Sequence, residues 1–568
     1  VSADPPAPGP ARHAVPFGAV AALLLLALVS VAAGRQTLTF ASYVVSTPTL
    51  VFLVTYGFLG TKLAMDLAPR LPDPRAWWSR GTDRQWLAFG ILSLPALAAA
   101  FRLFVLRSLP VTDDEKAYGF SGKLLALGKL WVPSEELPLF FDQTFVVNDG
   151  RMFSQYFLGW PALQLPARLA GLDTGFLNSL YLAALGPAVY LAVRRAADER
   201  AARLALTLLA TSPLVVFFGA TELSHTTEMI ALAWALWATL AARERSAPLW
   251  VDAAAAAAIS VAFWIRPSVA LGQGGPLVVW WLLSLRERFD LRRVLAFALP
   301  ATLAATAFLW TNQALYGGVL RSGYHAYHQY CLDNEGRFGI VYPDLLSPGM
   351  LVATKFAALL RVNAATFGWP CSFLFLRDVR AWGVFASMAL GHVLVHLPVD
   401  PGVESIGPTH FAELAVPLTC WTACVLSRAP EHLRVALLSA GFALSVYVPA
   451  WSSALRESQT DLTAWVGAAD AVRRPAVIFH VGHSCSSVTP QSWVFSPPLY
   501  DPERRDAVLW VHHLTLASDR HLMARRFPDR TGYVFQWNPD CTYDLRELSD
   551  PTLRVPDVGI ELEARYLP

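Results

Sequence analysis

The chain has 568 residues, of which 54% are hydrophobic, 12% aromatic and only 15% charged, with a net charge of +2. A soluble globular protein carries about a quarter charged residues, so this composition excludes an ordinary soluble enzyme. The near-zero net charge gives no bulk electrostatic case for nucleic acid. With a mean hydropathy of +0.40 and 20 Trp and 32 Phe to furnish interfacial belts, the chain reads as an all-α polytopic membrane protein.

In chain order, residues 1–14 form a Pro/Ala-rich tail with the composition of a disordered segment. The first apolar run reads as an anchor rather than a cleaved signal. A spanning helix needs roughly 20 mostly apolar residues. By that measure the pattern predicts about 13 spans, at 15–34, 38–60, 86–106, 176–193, 201–220, 226–242, 248–266, 269–285, 294–316, 350–376, 381–398, 411–427 and 435–451. The segments Leu137–Val147 and Pro161–Leu172 are too short or too polar to span and are expected to lie along one face. Residues 15–451 therefore constitute a transmembrane body. Residues 452–568 change character: they are rich in Asp, Arg, Pro and His, with strand-like runs at Ala476–Val481, Ser492–Phe495 and Ala507–Val511. They are expected to form a small C-terminal mixed α/β soluble domain.

Lys and Arg concentrate in alternate short loops, from Lys62 to Arg84, at Arg194 to Arg203, at Arg243 and Arg245, at Arg286 to Arg293, and at Arg428 and Arg434. The positive-inside bias puts these loops and the N-terminus in the cytoplasm. It puts a long juxtamembrane loop, 107–175, and the C-terminal domain outside. Cys371, Cys420 and Cys424 lie in or near spans as packing residues, whereas Cys485 and Cys541 lie in the outer tail, where a bridge between them is as expected as two free thiols. Gly272-Gln273-Gly274-Gly275 falls inside a span and suits close helix packing better than a phosphate cradle.

The densest chemical signal is Asp113-Asp114-Glu115-Lys116-Ala117-Tyr118, directly after the apolar run Trp86 to Leu106. Carboxylates at the mouth of a membrane helix are costly to hold there and by default suggest function. The bland alternative is a solvated loop in which an acid, Asp113 foremost, caps a helix over 117–128.

Asp114-Glu115-Lys116-Ala117-Tyr118, then a short helix ending at Gly128, resembles the first outer loop of the glycosyltransferase C superfamily, in the branch of protein O-mannosyltransferases and the lipid A aminoarabinose transferase. Three further segments are similar to that branch in order and spacing: Gly150 to Pro161, with Arg151 and Tyr156; Phe263-Trp264-Ile265-Arg266-Pro267; and Gly407-Pro408-Thr409-His410-Phe411-Ala412-Glu413. The chain departs from the pattern at Tyr156-Phe157-Leu158-Gly159-Trp160-Pro161 and at Thr409-His410, and it carries an extra pair of spans before the acidic loop.

The resemblance implies an inverting glycosyltransferase that moves a sugar from a polyprenyl-phosphate donor to a glycan, lipid or protein acceptor on the outer face of a bacterial cytoplasmic membrane. Asp114 is then the candidate base, assisted by Glu115, and Arg266 the candidate phosphate ligand. Tyr118, Arg151, Tyr156, Glu222, His225, His410 and Glu413 are candidate substrate-binding residues. The run Tyr324 to Tyr330 offers aromatic rings and imidazoles to a sugar, or simply the surface of an amphipathic turn. No metal ligand set and no tightly bound cofactor are expected, although the acidic cluster permits a divalent ion. The competing readings are a transporter or flippase of lipid-linked sugars, which would predict mid-membrane charge pairs and repeated broken helices, and a non-catalytic scaffold. Deleting the tail, with its Phe527-Pro528-Asp529-Arg530 segment, is expected to alter acceptor choice more than donor binding.

Overall fold

A computed structural model describes residues 81–244, 246–286, 289–334, 383–399, 409–428, 461–482, 501–557 and 562–567, together with Lys355, Ala358, Leu359, Val362, Ala365 and Thr366. The expected tail 1–14, the spans 15–34, 38–60 and 435–451, most of span 350–376, Gly407, Cys371, Cys485 and the strand Ser492–Phe495 lie outside the described residues.

Among the described residues, four helices are long and apolar enough to cross a membrane: α1 (Asp83–Phe104), α9 (Pro267–Leu285), α10 (Leu291–Tyr316) and α13 (Thr409–Ser427). The thirteen expected spans are thus met only in part. The span expected over 201–220 is two helices, α5 (Glu199–Ala210) and α6 (Pro213–Ala220), bent by 57°. Ser212 caps the second through its side chain and Pro213 opens it; proline lacks the N–H that would continue the first helix and suits the first turn of the next. The other helices of the body are α4 (Leu177–Ala196), α7 (His225–Ala242), α8 (Leu249–Ile265) and α12 (Gly383–Val395).

Helix α1 starts at a capping box between Thr82 and Gln85. It packs on α4 where Gly90 meets Gly186: a Cβ on Gly186 would lie 3.0 Å from the Gly90 backbone, so only small residues permit the approach. Helix α7 packs between α4 and α8, and α5 packs between α4 and α13. Helix α9 carries a π-turn at Ala270–Gly274, where Gly272 and Gly391 bring its backbone against α12.

Above this body lies the loop layer. Helix α2 (Asp113–Ala126) begins one residue after Thr112, so Asp113 is its first residue and not its cap. Past its C-cap Leu127, the chain turns at Gly128, whose positive φ of 68° suits a residue without a side chain. Strands β1 (Val132–Pro133), β2 (Val146–Asp149) and β3 (Arg151–Ser154) pair antiparallel in the order β1-β3-β2. Helix α3 (Gly159–Leu169) follows and packs on α2, and α11 (Gly323–Asp333) lies against β2.

The C-terminal segment is a four-stranded sheet, order β5-β4-β6-β7. Strand β4 (Ala476–Val481) pairs parallel with β5 (Val508–His512) and β6 (Thr531–Trp537), and β7 (Tyr543–Glu547) pairs antiparallel. Helices α14 (residues 461–471) and α15 (Leu516–Arg526) accompany it. The sheet is docked on the loop layer by buried rings: Phe140 on Phe479 and on Tyr566, each at 6.1 Å, and Phe141 on Phe527 at 6.4 Å. His512 Nε2 donates to the Asp142 carbonyl at 2.8 Å, and the Leu139 N–H donates to the Tyr566 hydroxyl at 3.1 Å. Exposed ion pairs, such as Lys129–Glu503 at 3.0 Å, rim the contact. Cys541 is disulfide-bonded, to a partner outside the described residues.

Candidate functional site

The start of α2 brings the acids to one place but gives each a different task. Glu115 is buried. Its carboxylate accepts main-chain N–H groups from Val111, Thr112 and Glu222, binding the first turn of α2 to the loop before α7. Both of its oxygens are thus occupied by backbone donors. Burial, then the charge of Glu222, pushes its carboxyl up to about 7. Asp113 is buried and pairs with Lys116 at 2.9 Å.

Asp114 alone keeps part of its surface open. Its Oδ1 accepts the Tyr156 hydroxyl. Burial raises the Asp114 carboxyl above its ordinary range, against the opposing pull of the Tyr156 and Thr112 hydroxyls. A carboxylate with a raised pKa is a stronger base near neutral pH.

Tyr156 stacks on Tyr118, ring centroids 4.3 Å apart. The Tyr118 hydroxyl is 2.9 Å from Ser224 Oγ, immediately before His225. This continuous path leads from Asp114 to the second half of the site.

That half centres on Arg266. The residue before a proline is pushed out of the helical region, and Arg266 accordingly breaks the chain between α8 and α9 with φ −146° and ψ 90°. Its Nη1 lies 3.3 Å from His225 Nε2 and its Nη2 2.9 Å from His410 Nδ1. Arginine only donates, so both imidazole nitrogens accept. His225 therefore carries its hydrogen on Nδ1 and donates it to Glu413 Oε1 at 2.7 Å. Glu413 Oε1 also stands 3.6 Å from Arg266 Nε. A guanidinium has five N–H groups; these contacts leave one on each terminal nitrogen for a ligand. His392, stacked on His396 at 4.3 Å, donates through Nε2 to the His410 carbonyl at 2.8 Å, and His396 Nε2 lies 3.2 Å from Ser268 Oγ.

Of the residues singled out from the sequence, Asp114, Tyr118 and Tyr156 form one group and His225, Arg266, His410 and Glu413 another. Glu222 belongs beneath the first. Its carboxylate pairs with Arg102 at 3.1 Å and accepts from Thr174 at 3.1 Å, and its carbonyl accepts from Trp160 Nε1 at 2.6 Å. Arg151 does not join these contacts: it is exposed and stacks over Trp131 at 4.5 Å. Sequence reasoning missed Arg102, a lone cation in the apolar run of α1, although a buried charge in such a run is itself a functional signal. It also missed Glu228, fully buried one turn after His225. Ser224 and the pair His392 and His396 carried no signal of their own. The run Tyr324 to Tyr330 is the amphipathic helix α11, with Tyr327 and Tyr330 buried and His325 and His328 exposed. Among the described residues, no group of three or more His, Cys, Asp or Glu is placed to hold a metal.

No protein-family model matches the sequence, and no curated protein matches it. The chain is similar, at low identity, to several solved structures. The Archaeoglobus fulgidus oligosaccharyltransferase, in complex with Zn and sulfate, has 12% identity and a TM-score of 0.41, with 80% of this chain and 73% of that one covered. The archaeal oligosaccharyltransferase AglB from the same organism, in complex with an inhibitory peptide and a dolichol-phosphate, has 13% identity and a TM-score of 0.39, with 83% and 75% covered. ArnT from Cupriavidus metallidurans, bound to undecaprenyl phosphate, has 14% identity and a TM-score of 0.37, with 84% and 100% covered. These neighbours belong to the glycosyltransferase C superfamily, whose motifs the sequence resembles. At such TM-scores the likeness carries no argument about activity, which rests on the residues themselves.

Proposed function

We propose that the chain is an inverting glycosyltransferase that takes a hexose or pentose from a polyprenyl-phosphate donor and places it on a glycan, lipid or protein acceptor at the outer face of a bacterial cytoplasmic membrane. The observation that carries this reading is the pairing of one partly exposed acid, Asp114, with one clasped guanidinium, Arg266, through the path Tyr156, Tyr118, Ser224 and His225.

The chemistry needs both ends. Asp114 takes the proton of the acceptor hydroxyl or amine as that atom attacks the anomeric carbon from the face opposite the phosphate. The bond from the anomeric carbon to the phosphate oxygen breaks, and its electron pair leaves with the polyprenyl phosphate. The two remaining N–H groups of Arg266 match two phosphate oxygens, and they stabilise the charge as it develops. Neutral imidazoles on either side fix the fork without competing for the anion. Tyr156 orients Asp114 without neutralising it.

The test is sugar transfer from radiolabelled polyprenyl-phosphate sugars by the purified protein in lipid, onto a membrane extract, with Asp114→Asn alongside. Transfer by the unaltered chain that vanishes in the variant supports the assignment. No transfer by either protein, with labelled lipid crossing the bilayer of vesicles instead, would replace the enzyme with a flippase.

A further inference from the structure

Tyr324 stands at the first turn of α11 and is 43% exposed. The inner face of that helix is anchored in the protein. Tyr327 and Tyr330 are buried, Tyr327 packs against Phe145 at 5.9 Å, and the Tyr330 hydroxyl donates to Asp142 Oδ1 at 2.7 Å. Ser322 caps the first turn through its side chain. The residue before Tyr324, Gly323, is pressed on the main chain: a Cβ there would lie 2.3 Å from the Gln155 carbonyl oxygen. That approach, open only to glycine, sets Tyr324 beside Tyr156.

The Tyr324 ring meets Tyr156 edge-on at 5.7 Å and Phe157 at 5.6 Å. Its phenol stays neutral at ordinary pH and can both donate and accept a hydrogen bond. A tyrosine used only to pack the helix would turn its ring inward, as Tyr327 and Tyr330 do. Tyr324 is instead seated along one edge on Phe157 and on Tyr156, the partner of Asp114, and keeps 43% of its surface exposed.

We propose that the open face of Tyr324 is the platform for the transferred monosaccharide, resting on the reading of the site given above. The C–H face of a pyranose or furanose ring stacks on the phenol, and the phenol hydroxyl bonds to a sugar hydroxyl. Tyrosine supplies both an apolar face and a polar tip in one rigid group. Tyr324 is thus a specificity residue: it distinguishes the sugar-bearing lipid phosphate from the bare polyprenyl phosphate left after transfer. Product release follows from the same contact, because the spent lipid no longer has a ring to place there.

The experiment measures binding of two probes, polyprenyl-phosphate mannose and bare polyprenyl phosphate, to the full-length protein in lipid nanodiscs. The variants are Tyr324→Ala, Tyr324→Leu and Tyr324→Phe. The unaltered chain is expected to bind the sugar-bearing lipid more tightly. Tyr324→Ala and Tyr324→Leu should weaken the sugar-bearing lipid about tenfold and leave the bare lipid within about twofold, the size expected of one ring contact. Leucine keeps apolar packing on Tyr156 and Phe157, so it carries the test if alanine fails to fold. Tyr324→Phe should lose about threefold, the share of one hydrogen bond. Equal weakening of both lipids, or of neither, overturns the platform while leaving the transferase reading standing. Failure of the unaltered chain to bind either lipid overturns the transferase reading, and the platform with it.

Discussion

The two halves of the site are held in opposite ways. Arg266 is clasped by His225, His410 and Glu413, so its position is fixed before any ligand arrives. Asp114, in contrast, is held by the hydroxyl of Tyr156, and the neighbouring cation, Lys116, pairs with Asp113. The contrast follows from the chemistry proposed for each. A group that stabilises developing charge works best when it is preorganised. A base must gain a proton, and a paired cation would hold it below the range where it can do so.

The sharpest way to break the comparison is Asp114→Asn, which keeps the shape and the Tyr156 contact but cannot take a proton. Sugar transfer is expected to fall about 10²- to 10⁴-fold, with donor binding little changed, as measured by single-turnover transfer and by donor titration. Next, Arg266→Lys keeps the charge and loses the fork. Donor affinity and transfer should together fall on the order of 10²-fold in a kcat/KM assay, because lysine cannot hold two imidazoles and two phosphate oxygens at once. Equal activity for lysine would mean that charge alone matters on that side.

A smaller effect probes the junction of the two halves. A Cβ on Gly159 would lie 2.5 Å from the Trp264 carbonyl carbon and oxygen, one helical residue from the Arg266 break. Gly159→Ala should shift that backbone and lower transfer by roughly tenfold through misplacement of Arg266, while Asp114 keeps its surroundings. The readout is a loss in donor binding larger than any loss in melting temperature.

The pH dependence of stability sharpens the loop side further. The Glu115 carboxyl rises from 4.5 to about 7 on folding. Between these values the unfolded chain has lost this proton and the folded chain has kept it. The folded state then binds more protons, and stability falls as pH rises. Thermal melts should show this decline across about pH 5 to 7, flattened in Glu115→Gln. The smallest effect is expected at the rim of the C-terminal sheet. Lys129→Ala removes an exposed pair with Glu503 and should cost less than about 1 kcal/mol. Phe140→Ala removes a buried ring and should cost about 3–5 kcal/mol in the same melts.

Much of the site was legible in the sequence because its residues stand at helix ends, where a charge beside an apolar run is conspicuous. Asp114 follows α1, Arg266 closes α8 before a proline, and His410 and Glu413 open α13. The ordered motifs therefore named both charged groups and most of their neighbours. What escaped depends on contacts between distant segments. Glu115 and Asp114 are adjacent and chemically alike, yet Glu115 accepts main-chain N–H groups from Val111, Thr112 and Glu222, whereas Asp114 keeps part of its surface open. The capping box from Thr112 to Glu115 is a local sign of part of this difference, whereas the contact with Glu222 has no local sign. The exposed position of Arg151 follows from the pairing of β3 and the ring of Trp131. The break between α5 and α6 was readable, since Ser212-Pro213 is a helix-start signal inside the apolar run. The count of spans favoured length over that signal.

The loop layer has one further consequence, for the order of biosynthesis. Its inner contacts reach across most of the chain: His512 to Asp142 spans 370 positions, and Leu139 to Tyr566 spans 427. A ribosome supplies α2 and its acids long before it supplies their cover. Lys116, one turn into α2, lies 5.3 Å from the ring of Trp465, which is made 349 residues later than the lysine itself. The growing chain therefore carries Lys116 and the loop layer for several hundred residues before the C-terminal segment that packs on them is made.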